Sequence, residues 1–250
     1  MTTDALYFWS TKVKKNYLDQ IAVKVRGTGP ERVLFLAGLG DDMESFNFDA
    51  GASTAMLRRY DLIKPTLGIQ MPVSLYAQTL AFDFPGNGKS PALEQQPTST
   101  AGEVELIRAL ALHHGFQPPY VVCAHSISCI TALYWQHLYP AELRGCVLLD
   151  PTPLKEDVGP PDLAWARTHP LEAARIMYTT TTRLGFNLHQ IQPNVRVHLD
   201  MAVPLEASNL ARIHAAEQMY PHVQRHYGAY HHLHLSDPRP VIGSILHFLV

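Results

Sequence analysis

The chain has 250 residues, of which 46% are hydrophobic and 17% charged, and its formal net charge is −2. This length and composition fit one globular α/β domain that can bury a sizeable core. No basic block or basic helix face occurs, which argues against a nucleic-acid or anionic-membrane partner. The longest apolar runs, of about five to seven residues, are too short to cross a bilayer, so we expect no membrane insertion.

The cysteines and the N-terminal segment predict a compartment. Cys123, Cys129 and Cys146 are odd in number, form no Cys-x-x-Cys pair and lie in apolar contexts. This usage is typical of a reduced, cytoplasmic protein with buried thiols. In the N-terminal segment the charged residues follow the apolar run and no small-residue cleavage site comes after it, so we do not expect a signal peptide.

Short apolar runs alternate with helical patterns along the chain, which predicts an α/β fold with a mostly parallel eight-stranded sheet and helices on both faces. The predicted strands are Ala5–Trp9, Ile21–Val25, Val33–Ala37, Gln78–Phe82, Tyr120–Cys123, Gly145–Leu149, Val195–Leu199 and Val223–Tyr227. The predicted helices lie near Ser53–Tyr60, from Thr100 to His114, from Ser126 to Leu138 and from Val241 to Leu249.

Residues 151–193 lack strand signals but contain helix-like pieces. We interpret them as a small helical lid above the carboxyl end of the sheet. No linker divides the chain, so residues 1–250 are predicted to form a single domain with this lid inserted in it.

Ser126 is the candidate nucleophile. It follows the buried strand Tyr120–Cys123 and begins the amphipathic helix that stops at Pro140. A serine at a tight strand-to-helix turn is presented at the carboxyl edge of the sheet, beside the open N–H groups of the first helical turn. The usual turn is Gly-x-Ser-x-Gly; here the small residues Ala124 and Ser128 replace the glycines. An ordinary helix N-cap is the alternative interpretation of Ser126.

Five segments in order resemble the α/β-hydrolase fold family from about residue 33 to the C-terminus. They are VLFLAGLGDD (33–42), LAFDFPGNGKS (80–90), VVCAHSISCITALYWQHLYP with GCVLLDP after it (121–151), VRVHLDMAVP (195–204) and GAYHHLHLSDP (228–238). In that family these segments are the oxyanion loop, a structural loop, the nucleophile turn, the acid turn and the histidine loop. The order Ser…Asp…His along the chain is also the family's.

The resemblance implies that His231 is the general base, because it lies in the histidine loop, with a strand before it and a helix after it. Such a base takes the proton of the serine hydroxyl and later returns it to the leaving group. The neighbouring His232 and His234 leave two other interpretations, a surface cluster without a role or part of a metal site. The sequence places no further metal ligands, so we assign no metal.

Two aspartates compete for the place of the triad acid. Asp200 begins Asp-Met-Ala-Val-Pro, which resembles the family's acid turn, although the glycine that normally precedes it is absent. Asp150, in LLDPTP, is the alternative, because an acid at the end of the preceding strand reaches the histidine in some members of the family. We favour Asp200.

The oxyanion hole is implied to consist of the backbone N–H groups of Leu39 and Ile127. Ala37 departs from the His-Gly that the family often has before this loop.

The run Gly86-Asn87-Gly88-Lys89-Ser90 resembles a phosphate-binding loop. However, Asp83 occupies the place of that motif's first glycine and would repel phosphate.

The expected function is that of a serine hydrolase without metal or organic cofactor, which cleaves an ester or amide of a small, mostly apolar molecule. The expected pocket character rests on apolar residues of the lid, which are Trp165, Ile176, Met177, Tyr178, Leu184 and Phe186. Two alternatives are a lyase or carbon–carbon bond hydrolase with the same triad and a non-catalytic ligand-binding protein on the same fold. The oligomeric state and the identity of the substrate are not readable from the sequence.

Overall fold

The computed structural model describes residues 15–47, 68–92, 97, 100–151, 196–203, 213–214, 217–218, 220–227 and 231–250. Three predicted features lie outside these residues. They are the strand at 5–9, the helix near 53–60 and all but the first residue of the lid at 151–193.

A mostly parallel sheet forms the centre of the structure. Its strands are β1 (Val23–Arg26), β2 (Glu31–Leu36), β3 (Ala77–Phe82), β4 (Tyr120–His125), β5 (Leu143–Leu149), β6 (Arg196–Val203) and β7 (Val223–Tyr227). They pair in the order β1-β3-β2-β4-β5-β6-β7, with β1 antiparallel to β3 and every other pair parallel. The described residues therefore form seven of the eight predicted strands, and the predicted fold class is confirmed.

The helices are α1 (Lys15–Leu18), α2 (Gln70–Val73), α3 (Thr100–His113), α4 (Ser128–Leu138), α5 (Leu233–Ser236) and α6 (Pro238–Leu246), with 3₁₀ turns at Met43–Phe46 and Pro140–Glu142. The end of α3 follows from its sequence, because Gly115 has φ +78°, a left-handed conformation that glycine adopts without steric strain.

Side chains that alternate along β2 build a core on each face of the sheet. Leu34 and Leu36 pack with residues of α3 and α4, whereas Val33 and Phe35 pack with residues of α6. All four side chains are fully buried. Burial on both faces explains why the central strands β2 and β4 are largely apolar, and it holds the carboxyl ends of β4 and β5 in fixed positions.

Strand β6 differs from its prediction in a way that affects the candidate site. The sequence predicts its end at Leu199, but the strand continues to Val203. Asp200 therefore pairs with Leu149 of β5 and Gln224 of β7 inside the sheet, and its side chain is fully buried. Asp150, in contrast, comes directly after the last residue of β5.

Candidate active site

Ser126 occupies a strained turn between β4 and α4. Its φ is +54°, which is rare for a residue with a side chain, and its backbone N–H donates to the carbonyl oxygen of Leu149 at 2.9 Å. The hydroxyl of Ser128 donates to the carbonyl oxygen of Ala37 at 2.6 Å. Ser128 thus joins the start of α4 to the segment after β2. A glycine at this position has no hydroxyl and could not make this bond.

Asp150 is the second strained residue. Ser126 and Asp150, with φ +41°, are the non-glycine residues with positive φ in the described part of the chain. Backbone strain of this kind concentrates at functional sites. The backbone N–H of Asp150 donates to the carbonyl oxygen of Asp200 at 2.7 Å, and its Oδ1 accepts the N–H of Ala202 at 3.2 Å. These contacts with β6 fix the orientation of the Asp150 carboxylate.

His231 joins the two strained residues. Its Nε2 lies 2.9 Å from Ser126 Oγ, and its Nδ1 lies 2.5 Å from Asp150 Oδ2. The His231 side chain is 47% exposed, whereas that of Asp150 is 4% exposed. The structure therefore brings Ser126, His231 and Asp150 together in one continuous chain of side-chain contacts, in which the carboxylate is buried and the histidine is exposed.

The prediction that Asp200 partners His231 is wrong. Asp200 Oδ1 lies 2.8 Å from His226 Nε2 and accepts the hydroxyl of Ser244 at 3.1 Å. The reason is the length of β6, which keeps Asp200 within the sheet and leaves the edge position to Asp150. The alternative aspartate is thus the one in contact with the histidine.

The segment that carries Leu39 lies against the serine. A Cβ built on Gly38 would be 3.1 Å from Ser126 Cβ and 2.7 Å from His125 Nδ1, so only glycine allows this approach. Within the described residues, the backbone N–H groups of Leu39 and Ile127 have no hydrogen-bond partner. Ile127 directly follows Ser126, and both amides retain their donor capacity.

The surroundings of His125, the residue before Ser126, were not predicted from the sequence. His125 is fully buried, and its Nε2 lies 3.1 Å from the carbonyl oxygen of His231. Its Nδ1 lies 3.2 Å from Asp41 Oδ2, and His232 Nε2 lies 3.1 Å from the same oxygen. The ring of His234 is 4.7 Å from that of His125. The available signal was the density of histidines, two of them beside the predicted nucleophile and base.

The pKa values of this group follow its burial. Burial alone would raise the pKa of Asp41, but the neighbouring rings of His125 and His232 outweigh it and hold that pKa well below its usual range. Burial lowers the pKa of His125 despite the attraction of Asp41. Burial, reinforced by the surrounding histidines, lowers the pKa of His234 well below its usual value.

The possible phosphate-binding loop is filled by a carboxylate. Asp83 accepts the backbone N–H groups of Met43 and Lys89, each at 2.7 Å, and a Cβ on Gly88 would lie 2.3 Å from Asp83 Oδ2. The Lys89 amide of the loop is therefore turned toward Asp83, which occupies the space beside Gly88 where an anion would have to lie. This arrangement agrees with the interpretation of the segment as a structural loop.

Cys123, Cys129 and Cys146 are free and buried, as predicted. Burial raises the pKa of the Cys146 thiol to about 12 and those of the other two thiols well above their usual value, so none supplies a thiolate nucleophile near neutral pH.

In the part of the chain that the structure describes, no helix has the length and apolar character needed to cross a bilayer.

Known structures share this architecture at low sequence identity. A hydrolase from Oleispira antarctica superposes with a TM-score of 0.66 at 14% identity, over 94% of this chain and 97% of that chain. A thermophilic esterase from Thermogutta terrifontis gives a TM-score of 0.57 at 17% identity, over 92% of each chain. At these identities the likeness establishes the fold.

The sequence itself identifies the family. A 47-residue segment is 38% identical to the Bacillus subtilis (strain 168) protein named "Uncharacterized protein YbdG", but it spans 19% of this chain and only 14% of that protein. The model of the "Alpha/beta hydrolase family", in contrast, matches residues 33–193, well over half of the chain. This match covers the turn of Ser126 and the strand end of Asp150, and the chain belongs to the α/β-hydrolase family.

Proposed function

We propose that the protein is a serine hydrolase that cleaves an ester or amide of a small, mostly apolar substrate through an acyl-enzyme on Ser126. The observation that carries this proposal is the continuous contact from Ser126 Oγ through the His231 ring to the Asp150 carboxylate. A serine hydroxyl is a weak nucleophile at neutral pH, and an imidazole oriented in this way is the means of activating it.

In the proposed reaction, Ser126 Oγ attacks the substrate carbonyl carbon while its proton passes to His231 Nε2. The imidazolium that forms carries a proton on Nδ1 as well, and this N–H stays on the ring and donates a hydrogen bond to Asp150 Oδ2. Because Asp150 is buried and held by the N–H of Ala202, its negative charge is fixed next to the developing positive charge. His231 then returns the proton to the leaving group.

The backbone N–H groups of Leu39 and Ile127 are proposed to bind the oxyanion. Two observations support this role: the segment of Leu39 lies against Ser126 and Ile127 directly follows it, and neither N–H has a partner among the described residues. Water, deprotonated by His231, then cleaves the acyl-enzyme and regenerates the Ser126 hydroxyl. The apolar substrate class rests on the composition of residues 151–193, which belong to the undescribed part of the chain.

A fluorophosphonate probe tests the nucleophile directly. We expect stoichiometric labelling of the purified protein at Ser126, located by mass spectrometry of the modified peptide. Ser126→Ala should abolish the label and His231→Ala should slow labelling by about 10³-fold or more. The exposed His214 provides the control His214→Gln, for which labelling should be unchanged.

Absence of labelling on folded wild-type protein would overturn the acyl-transfer mechanism and favour a ligand-binding protein on the same fold. Labelling without turnover of any ester or amide would retain the nucleophile but overturn the substrate class, and would favour a lyase or carbon–carbon bond hydrolase. A screen of p-nitrophenyl esters and anilides of increasing acyl length separates these outcomes.

A further inference from the structure

Beside the triad, three side chains from separate segments converge on a small volume. Asp41 follows β2, His125 ends β4 and His232 precedes α5. One potential ligand atom from each, a carboxylate oxygen or a ring nitrogen, lies within 4.8 Å of both others. We propose that Asp41, His125 and His232 form a binding site for a divalent transition-metal ion of the Zn²⁺ type.

The hydrogen bond of His125 fixes which of its nitrogens faces this volume. A carbonyl oxygen only accepts, so the Nε2 of His125, 3.1 Å from the carbonyl oxygen of His231, carries a proton. In the neutral ring, Nδ1 then presents its lone pair toward Asp41. A metal-ligating histidine almost always donates its other N–H to a carbonyl, carboxylate or water in this way.

The contact between His125 and Asp41 lacks the geometry of a hydrogen bond. The Nδ1 atom is buried and has no hydrogen-bond partner within the described residues, although Asp41 Oδ2 is only 3.2 Å away. A ring nitrogen that presents a lone pair to a carboxylate oxygen at this distance is repelled by it, and a cation bound between the two atoms would make the contact favourable. A buried polar atom without a partner destabilises a protein, and a bound metal would remove this penalty.

The spacing agrees with metal coordination. Ligand atoms about 2.0–2.2 Å from a tetrahedral metal are separated from one another by about 3.3–3.5 Å. Asp41 Oδ2 lies 3.2 Å from His125 Nδ1 and 3.1 Å from His232 Nε2. The third distance, between the ligand nitrogens of His125 and His232, is at most 4.8 Å. Rotation of the His232 side chain, which is 27% exposed, would shorten this distance when a metal binds.

The set of ligands is chemically suited to a borderline-soft ion. Two imidazole nitrogens and one carboxylate oxygen favour Zn²⁺ or a neighbouring transition metal over Mg²⁺ or Ca²⁺, which prefer oxygen ligands. Three protein ligands leave a fourth position for water. A metal at this point would tie the segment of Leu39 to the segment of His231, the two parts of the proposed site that are furthest from Ser126 along the chain.

Binding of Co²⁺ and Zn²⁺ to the purified, metal-stripped protein tests the proposal. Co²⁺ should bind in a 1:1 ratio with the intense visible absorption of a low-coordinate site. Zn²⁺ should displace it and raise Tm by about 5 °C or more at saturation. His232→Gln, which alters the most exposed ligand, and Asp41→Asn should each weaken binding by about 100-fold or more, whereas His214→Gln should not.

Other histidines could hold the ion instead, and His231→Gln locates it. This variant should retain the Co²⁺ spectrum if the ion lies on Asp41, His125 and His232, and should lose it if the ion lies on His231 and Asp150. Absence of 1:1 binding by wild-type protein, or equal affinity of wild type and His232→Gln, would overturn the proposal. Because the readouts are a spectrum and Tm, the result is independent of the proposed hydrolase activity.

Discussion

His231 Nδ1 and Asp150 Oδ2 lie 2.5 Å apart although 81 positions separate them in the chain. The contact exists because β5 ends at Leu149, which places Asp150 at the edge of the sheet with φ +41°. The neighbouring β6 supplies the N–H of Ala202 to the other carboxylate oxygen. The same edge holds Ser126 at the end of β4, and the histidine connects the two.

Asparagine substitutions should distinguish the two aspartates. Asp150→Asn keeps the shape of the side chain but removes the charge that orients and stabilises the histidine, and we expect kcat to fall by about 10⁴-fold. Asp200→Asn should leave kcat within about 10-fold of wild type and instead destabilise the fold by about 3 kcal/mol, because it disrupts a buried pair with His226.

Steady-state kinetics on an ester substrate and urea unfolding of both variants provide the comparison. A greater loss of kcat in Asp200→Asn than in Asp150→Asn would contradict the assignment.

The bond from the Ser128 hydroxyl to the carbonyl oxygen of Ala37 should contribute to both stability and rate. Ser128→Ala leaves a buried acceptor without its donor, so we expect a loss of about 1–3 kcal/mol in the free energy of unfolding. The matched control is Ser74→Ala, since Ser74 makes a bond of the same 2.6 Å length, but an exposed one, to the carbonyl oxygen of Met71. Ser74→Ala should change the free energy of unfolding by no more than about 0.5 kcal/mol.

Urea unfolding measures both serine variants. In addition, kcat should fall in Ser128→Ala, because the segment of Leu39 loses its anchor to α4. Equal stabilities of the two variants would argue against a structural role for this bond.

Gly38→Ala should abolish activity, because the added Cβ would lie 2.7 Å from His125 Nδ1 and 3.1 Å from Ser126 Cβ. In Gly243, within α6, the added Cβ meets no atom within 4 Å. Gly243→Ala should therefore leave activity unchanged and stabilise the protein by about 0.5–1 kcal/mol through helix propensity. Fluorophosphonate labelling and thermal unfolding of both variants check this pair, and a fully active Gly38→Ala would show that the segment yields to the added methyl group.

His226 should make stability depend on pH. Burial alone would lower the pKa of His226, but its contacts with Asp200 and Asp237, at 2.8 and 2.9 Å, outweigh burial and raise it. A folded-state pKa above the unfolded value, about 6.5, means that protonation of His226 stabilises the native state. This contribution is fully present below the unfolded pKa and disappears as the pH rises through the folded pKa.

The difference in unfolding free energy between wild type and His226→Gln should therefore be greater at about pH 5.5 than at about pH 9. Urea titrations of both proteins across this range measure the difference, with His214→Gln as the control for loss of an exposed histidine. A difference that is constant with pH, or greater in alkali, would show that the stability contribution of His226 is not linked to its protonation.

The local sequence was sufficient for the parts of the molecule that depend on near neighbours. The sequence pattern predicted all seven described strands, and the central strands β2, β3, β4 and β5 were readable as largely apolar runs because burial on both faces requires hydrophobic side chains. The turn at Ser126 was readable from a buried strand that meets an amphipathic helix, and His231 from the resemblance of its loop. Those two side chains lie within hydrogen-bond distance in the structure.

Tertiary structure decides which of the two aspartates contacts His231. Asp150 and Asp200 both follow apolar runs, and only pairing within the sheet determines where each strand ends. Strand β6 continues past Asp200 because β5 and β7 supply hydrogen-bond partners on its two sides, and no local pattern records that pairing. The convergence of Asp41, His125 and His232 has the same origin: three segments distant in sequence meet only when parallel strands bring their carboxyl ends to one edge.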